Sequence, residues 1–382
     1  MDLSNAELAR YARHLILPEF NIEGQKKLKA SSVLVIGSGG LGSPLLLYLA
    51  AAGVGRITIV DFDRVDDSNL QRQVLFGMAD VGRPKVEAAA ARLRSLNPCI
   101  EVTSLDTQLT SENARELVAS HDLVADGTDN FATRYLVNDA AVLENKPNVY
   151  ASIYRFEGQI SVFNALLPDG TRGPNYRDLF PTPPPPGLVP SCAEGGVLGV
   201  LPGILGSLQA LEVIKVLTGI GEPLSGRLFL FDATTFTTRT VKIRKSPNNP
   251  LTGEQPTQTE LINYQEFCGI GLAGEREASE PEIQEIEPQQ FLDWRETGRK
   301  FKLIDVREPF EAAIDSLGGE LIPEGSVLAS LDRIPREMDV VIHCRSGVRS
   351  ARVIRLLEAE HGYKNLVNLQ GGIVAMNNLA TQ

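Results

Sequence analysis

The chain has 382 residues, a length at which a single hydrophobic core usually gives way to two domains. Hydrophobic residues make up 43% of it and charged residues 22%, a composition typical of folded protein and unlike that of a disordered chain. Its formal net charge of -11 repels phosphate backbones and anionic lipid, so we expect it to bind neither nucleic acid nor a membrane surface.

The compartment is predicted to be the cytoplasm. Residues 1–10 are too polar for a secretory signal, and the four cysteines are widely spaced, as expected of free thiols in a reducing environment. The most apolar stretch, residues 195–217, contains Pro202 and ends with Gln209, Glu212 and Lys215 at helical spacing. A buried helix explains it better than a membrane span.

In chain order, the first part alternates short apolar runs with helical patterns. An apolar run at 32–36, a glycine cluster, a helical pattern at 44–52 and a second run at 56–60 predict a strand, helix, strand unit with a parallel sheet. The alternation continues to residue 125. The predicted fold class is α/β, with a Rossmann-like doubly wound sheet.

The second part changes character twice. Prolines crowd residues 181–190 and predict an exposed loop, after which a helix ending near residue 217 and two strands are expected. An acidic, apolar-poor stretch at 272–288 then indicates an interdomain linker. Beyond it, alternating strands and helices predict a second, smaller α/β domain. The predicted boundaries are 1–262, 263–287 for the linker, and 288–382.

A glycine cluster follows the first predicted strand and opens the first helix of the sheet. It comprises Gly37, Gly39, Gly40 and Gly42. Such a turn lets backbone approach phosphates closely, and the helix N-terminus supplies positive potential. Asp61, at the end of the next strand, is placed to hold ribose hydroxyls. These features alone suit NAD as readily as ATP.

Polar residues further along favour triphosphate chemistry. Arg72 and Lys85 can neutralise charge on phosphoryl oxygens, and Asn69 and Gln73 can hydrogen-bond phosphates. Asp129 can hold Mg²⁺. A dehydrogenase needs none of these together.

Several motifs occur jointly over residues 1–262: Arg10-Tyr11-Ala12-Arg13, the glycine cluster, Asp61-Phe62-Asp63, the run from Asn69 to Gln73, Gly82-Arg83-Pro84-Lys85, Thr128-Asp129-Asn130, and residues 191–199. In these the chain resembles the ThiF/MoeB family, relatives of ubiquitin-activating enzymes. The resemblance implies that Asp61, Arg72, Lys85 and Asp129 bind ATP and Mg²⁺, with Asp63 and Asn130 beside them. It also implies a homodimer in which Arg13 reaches the nucleotide of the partner subunit.

One departure from that family concerns zinc. Many members carry two Cys-x-x-Cys pairs that bind a structural zinc ion, and here those positions hold Asn175, Asp178, Ser246 and Asn249. Because none of these is a thiolate, we predict no such zinc site.

A second candidate site begins at Cys344, which follows a buried strand and precedes a glycine-containing loop and a helix. Inward backbone N–H groups and the helix N-terminus favour a thiolate or persulfide there, and Arg345 and Arg349 add positive charge. The loop resembles the rhodanese active-site loop, and residues 288–378 resemble that domain. The resemblance implies that Cys344 carries sulfane sulfur. A zinc-free adenylation domain with such a C-terminal domain resembles the MoeZ/MoeBR branch.

Cys192 follows the proline-rich loop, where the family resemblance places a thiol close to an activated carrier terminus. It could form a covalent intermediate, resolve a disulfide or simply pack, and the sequence leaves these alternatives open.

Together these features predict ATP-dependent adenylation of the C-terminal Gly-Gly carboxylate of a ubiquitin-like sulfur carrier of the MoaD/ThiS type. Sulfur transfer from a Cys344 persulfide would then form a thiocarboxylate, for molybdopterin or a related sulfur-containing metabolite. The expected sulfur donor is thiosulfate or a cysteine desulfurase. Two alternatives remain at this point, an NAD-dependent oxidoreductase and a non-catalytic scaffold that binds a carrier.

Overall fold

The computed structural model describes residues 2–184, 196–268 and 283–380. The chain divides into two compact units, Met1–Leu272 and Ala273–Gln382.

The first unit is built on an eight-stranded sheet. Its strands are β1 (Ser32–Ile36), β2 (Arg56–Asp61), β3 (Glu101–Asp106), β4 (Leu123–Asp126), β5 (Asn148–Tyr154), β6 (Glu157–Phe163), β7 (Arg227–Asp232) and β8 (Thr237–Lys242). The spatial order is β3-β2-β1-β4-β5-β6-β7-β8, parallel from β3 to β5 and antiparallel from β5 to β8. The parallel half confirms the predicted Rossmann-like fold.

Helices cover the faces of this sheet, and hydrophobic residues are buried beneath them. The helices are α1 (Asn5–Arg10), α2 (Ala12–Leu15), α3 (Asn21–Ala30), α4 (Gly42–Ala52), α5 (Lys85–Leu96), α6 (Ala114–Ala119), α7 (Phe131–Leu143), α8 (Tyr176–Leu179), α9 (Leu201–Thr218) and α10 (Tyr264–Phe267). Every residue of β1 is buried, because covered parallel strands face protein on both sides.

Helix α9 is the apolar stretch noted in the sequence. It is long and apolar enough to cross a membrane by length and composition, a test that the core helix of a soluble protein also passes. It packs against α4, β5 and β6, and half of its apolar window is buried. This packing accounts for its hydropathy.

The second unit contains a five-stranded parallel sheet in the order β11-β10-β12-β13-β9. Its strands are β9 (Gln284–Ile286), β10 (Lys302–Asp305), β11 (Glu320–Leu321), β12 (Val340–His343) and β13 (Leu366–Leu369). Its helices are α11 (Pro288–Glu296), α12 (Pro309–Ile314), α13 (Val348–His361) and α14 (Gly372–Ala380). A smaller α/β domain is thereby confirmed.

Both ends of the segment 263–287, predicted to be a linker, have regular structure. Helix α10 packs against α7, and the Tyr264 hydroxyl donates to Asp139 at 2.8 Å. Strand β9 pairs with β13 at the edge of the second sheet. The acidic stretch between them, residues 269–282, lies outside the described residues.

Candidate functional site

A cavity of about 320 Å³ lies where β1, β2 and β4 end. This is the edge at which nucleotides bind in doubly wound sheets. Among the residues that line it are most of the predicted nucleotide-binding set: Gly37, Gly39, Gly40, Asp61, Asp63, Asn69, Arg72, Gln73, Lys85, Asp129 and Asn130. Gly42 and Arg13 from that set do not line it. The structure therefore brings together residues spread over almost a hundred positions.

The glycine turn between β1 and α4 is closely packed. Gly37 has φ +86°, a conformation that other residues rarely adopt. A Cβ on Gly42 would lie 2.1 Å from the carbonyl oxygen of Gly37. Gly42 therefore allows the turn to close onto the N-terminus of α4, although it does not itself line the cavity.

Two acidic side chains follow β2 at the cavity wall. The Asp61 carboxylate accepts hydrogen bonds from the backbone N–H and hydroxyl of Ser38, both at 2.8 Å, and from the Asp63 N–H at 3.0 Å. Asp63 pairs with the ammonium group of Lys85 at 2.7 Å. The lysine side chain is 5% exposed and that of Asp63 is 52% exposed, so the packing around the lysine side chain fixes the position of its ammonium group.

The neighbouring segment presents amide and guanidinium groups. Asn69 Oδ1 accepts from Gln73 Nε2 at 2.8 Å and from Arg72 Nη2 at 3.4 Å. Within the described residues, the buried Oε1 of Gln73 has no hydrogen-bond partner. This side of the cavity thus combines a positive charge with polar groups that have spare hydrogen-bonding capacity.

Asp129 is exposed, and its carboxylate makes no hydrogen bond or ion pair to another described residue. Asn130 instead caps α7, since its Oδ1 accepts from the Thr133 N–H at 2.9 Å. A free carboxylate at a phosphate site is a hard oxygen ligand of the kind Mg²⁺ prefers, so the residues fit that ion.

Sequence analysis missed the support beneath this loop. Asp126 Oδ1 accepts from both the N–H and the hydroxyl of Thr128, at 2.9 and 2.6 Å. Arg134 donates to the Thr128 carbonyl at 3.1 Å and lies over the ring of Tyr150. Burial raises the pKa of Asp126. The Asp-x-Thr spacing is a signal for such a turn, whereas nothing in the sequence reveals the part played by Arg134.

The second candidate site lies at the end of β12. Cys344 Sγ accepts from the Gly347 N–H at 3.1 Å, and the Ser350 hydroxyl lies 3.5 Å from it. Gly347 has φ +88° and comes directly before α13, so the loop turns sharply into the helix. Cys344 itself is 0% exposed, which the sequence did not indicate.

The two loop arginines differ. Arg345 is exposed, whereas Arg349 makes two 2.7 Å hydrogen bonds to the carboxylate of Glu311 in α12. These bonds lower the pKa of Glu311 and raise that of Arg349. Much of the charge expected from Arg349 is therefore offset by Glu311.

The four positions that replace the family's zinc ligands form a hydrogen-bonded cluster. Asp178 Oδ1 accepts from Asn249 Nδ2 and from the Ser246 N–H, both at 2.8 Å. Asn249 Nδ2 also donates to Asn175 Oδ1 at 3.2 Å. Hydrogen bonds between polar side chains thus link the segment that contains Asn175 and Asp178 to the segment that contains Ser246 and Asn249. The absence of zinc stays a prediction.

Cys192 lies outside the described residues, within 185–195. Its part in the site stays a prediction.

Comparison with known proteins identifies the two domains that contain these candidate sites. The ThiF family model matches residues 11–251, and the rhodanese-like domain model matches residues 287–379. The chain is 52% identical over 376 residues to the "Probable adenylyltransferase/sulfurtransferase MoeZ" of Mycobacterium tuberculosis, covering 98% of this chain and 93% of that protein. It is 54% identical over 270 residues to the "Sulfur carrier protein adenylyltransferase" of Thermus thermophilus, covering 71% of this chain and all of that protein.

Another relative is the "Adenylyltransferase and sulfurtransferase MOCS3" of Sus scrofa, 42% identical over 399 residues that cover 98% of this chain and 86% of that protein. Among solved structures, Escherichia coli MccB matches with a TM-score of 0.57 at 22% identity, covering 68% of this chain and 76% of that one. At that identity the likeness supports the fold alone.

Proposed function

The chain belongs to the ThiF family and joins that domain to a rhodanese-like domain, and from this premise we propose that it activates a ubiquitin-like sulfur carrier and supplies it with sulfur. The chain is an adenylyltransferase and sulfurtransferase. The carrier is proposed because the Thermus thermophilus relative is named for one. The observation that carries the proposal is the convergence of Arg72, Lys85 and Asp129 around the glycine turn.

In the first step a carboxylate oxygen of the carrier's C-terminal Gly-Gly attacks the α-phosphorus of ATP. A new acyl–phosphate bond forms, the α–β phosphate bond breaks, and pyrophosphate leaves. Arg72 and Lys85 would neutralise charge that builds on the phosphoryl oxygens, and the turn at Gly37 would cradle the phosphates. Asp61 has lone pairs left for ribose hydroxyls. Asp129 would hold Mg²⁺, which neutralises phosphate charge when bound.

In the second step the terminal sulfur of a Cys344 persulfide attacks the activated carbonyl carbon, and AMP leaves. The product is an acyl disulfide attached to Cys344. A second thiol, for which Cys192 is the candidate, attacks the Cys344 sulfur and releases the carrier thiocarboxylate. The disulfide that remains is then reduced by an external dithiol.

Further parts of the proposal rest on the resemblance to relatives. We propose a cytoplasmic homodimer in which Arg13 completes the nucleotide site of the partner subunit. The sulfur donor is thiosulfate or a cysteine desulfurase, and the carrier serves molybdopterin or a related metabolite.

Pyrophosphate exchange tests the adenylation step. The protein, a carrier that ends in Gly-Gly, ATP and Mg²⁺ should incorporate labelled pyrophosphate into ATP, and Lys85→Ala should lose this exchange. Cys344→Ala should exchange pyrophosphate normally but form no thiocarboxylate. Ser346→Ala, which changes an exposed residue of the same loop, should exchange pyrophosphate and form the thiocarboxylate normally. No exchange with any Gly-Gly carrier would refute adenylation, and normal thiocarboxylate formation by Cys344→Ala would refute the sulfur step.

A further inference from the structure

Behind the sulfur atom of Cys344 lies a row of three polar side chains. The Ser350 hydroxyl lies 3.5 Å from Cys344 Sγ and 2.7 Å from Oδ1 of Asn368. Asn368 Nδ2 in turn donates to Oε1 of Glu285 at 2.7 Å. Ser350 and Asn368 are 0% and 2% exposed, so the contacts of Ser350 form within the protein interior, whereas Glu285 is exposed at the outer end of the row.

The Ser350 hydroxyl has one proton and three acceptors in reach. Besides Cys344 Sγ and Asn368 Oδ1, the Gly347 carbonyl lies 3.1 Å away. A hydroxyl can rotate to donate to whichever acceptor is most negative. While Cys344 is a neutral thiol, the short contact to Asn368 is favoured. Once the sulfur is charged, donation to sulfur becomes the stronger bond, because hydrogen bonds to ionised groups are about twice as strong.

Glu285 fixes which way the amide of Asn368 faces. A carboxylate accepts hydrogen bonds only, so the Asn368 nitrogen must point to it, and the amide oxygen then points to Ser350. The strand register supports this arrangement, because Glu285 of β9 is paired directly with Asn368 of β13. Strand β9 is also the first described element after residues 269–282.

We propose that Ser350 donates a hydrogen bond to the sulfur of Cys344 when that sulfur is a thiolate, and that Asn368 and Glu285 are positioning residues for this hydroxyl. The inference rests on the proposed function, because it concerns the residues that stabilise the sulfur of Cys344, the cysteine proposed to carry sulfur. Ser350 follows Cys344 by six residues, but Asn368 and Glu285 lie on other elements, so the loop motif alone does not identify the row.

Other charges near Cys344 come from every element around it. They are Arg345 and Arg349 in the loop and first turn of α13, Glu311 in α12, Glu324 before α13, His343 in β12, Asp305 and Arg307 in and after β10, and Glu285 in β9. Arg349 is paired with Glu311 and Arg352 with Glu324, whereas burial lowers the pKa of His343 and so favours its neutral form. Among these groups the Ser350 hydroxyl is a buried, uncharged donor whose contact with the sulfur does not depend on an ion pair.

The test is the pH dependence of alkylation at Cys344 in the full chain, measured with iodoacetamide and read from the peptide that contains this cysteine. Ser350→Ala should raise the pH midpoint by about one unit, so alkylation below the midpoint slows about tenfold. Asn368→Ala and Glu285→Ala remove the acceptor that competes for the Ser350 proton and the carboxylate that orients it, so they should shift the midpoint in the opposite direction. Ser350→Thr, which keeps the hydroxyl, and Glu285→Gln, which keeps an acceptor, should lie closer to the unaltered protein.

The matched control is Ser346→Ala, which removes an exposed hydroxyl from the same loop. If Ser350→Ala has the midpoint of Ser346→Ala, the hydroxyl does not stabilise the charged sulfur and the inference is overturned. The assay contains no carrier and no ATP. A failure of the proposed function, seen as normal thiocarboxylate formation by Cys344→Ala, is therefore distinguishable from a failure of this inference.

Discussion

Replacing Gly42 with alanine should weaken nucleotide binding although Gly42 itself does not line the cavity. The added Cβ would lie 2.1 Å from the carbonyl oxygen of Gly37, and ordinary contacts begin at 3.4 Å, so the two segments must separate by about 1.3 Å. Neither partner is the end of a flexible side chain, because both positions belong to the backbone of one turn. The turn at Gly37 must therefore move.

The size of the effect follows from that displacement. A shift of about 1 Å in a positioned group can cost about a hundredfold in function, which corresponds to about 2.7 kcal/mol. We expect the ATP dissociation constant of Gly42→Ala to rise by about that factor. Overpacking should also lower the free energy of unfolding by about 1–3 kcal/mol.

Two glycine variants make the measurement specific. Gly77→Ala places its Cβ in open space and should bind ATP normally in a calorimetric titration. Gly39→Ala meets its nearest neighbour, Gln73 Nε2, at 3.7 Å and should unfold like the unaltered protein in urea. A loss of ATP affinity there would come from contact with the ligand itself. Normal ATP affinity in a folded Gly42→Ala variant would refute the reasoning.

Two further predictions concern ion pairs. Arg177 is buried and pairs with the buried carboxylate of Asp139 at 2.6 Å. Arg177→Ala should therefore lower the free energy of unfolding of the first unit, measured in urea, by about 3–5 kcal/mol, because it leaves a buried charge without its partner. Arg239→Ala, which changes an exposed residue, should leave that free energy close to normal, and equal urea midpoints for the two variants would contradict the prediction. The pKa of Glu311 is lowered on folding by its bonds to Arg349, so its stabilising contribution is present above the unfolded value of about 4.5 and is lost as the pH falls through the folded value. Glu311→Gln should accordingly have a lower melting temperature than the unaltered protein at neutral pH, and this difference should shrink as the pH is lowered.

The sequence was sufficient to predict the strands and helices of the parallel half of the first sheet. Its strands are continuous apolar runs, its helices have helical spacing, and glycine marks the turn between β1 and α4, so local patterns carry the information. Strand β9 was missed because three residues are too few to show a period and because its partner, β13, is about 80 positions away. It was therefore included in the predicted linker.

The nucleotide site could be predicted as a set of residues but not as a set of contacts. Motif spacing grouped Arg72, Lys85 and Asp129 in one predicted nucleotide site, and in the structure all three line the same cavity. The ion pair of Lys85 with Asp63 and the contact of Arg134 with the Thr128 carbonyl depend on how elements pack. The same holds for Ser350 and Asn368, which only the folded second sheet brings together.

The complete burial of Cys344 has a kinetic consequence. Because Cys344 has no exposed surface, reagents react with its sulfur only through local openings of the loop, so a persulfide there would exchange slowly with the cellular thiol pool. Release of the sulfur requires a local opening, and its rate is set by the population of open molecules. A partner protein that binds and stabilises the open loop would therefore receive the sulfur in preference to other thiols.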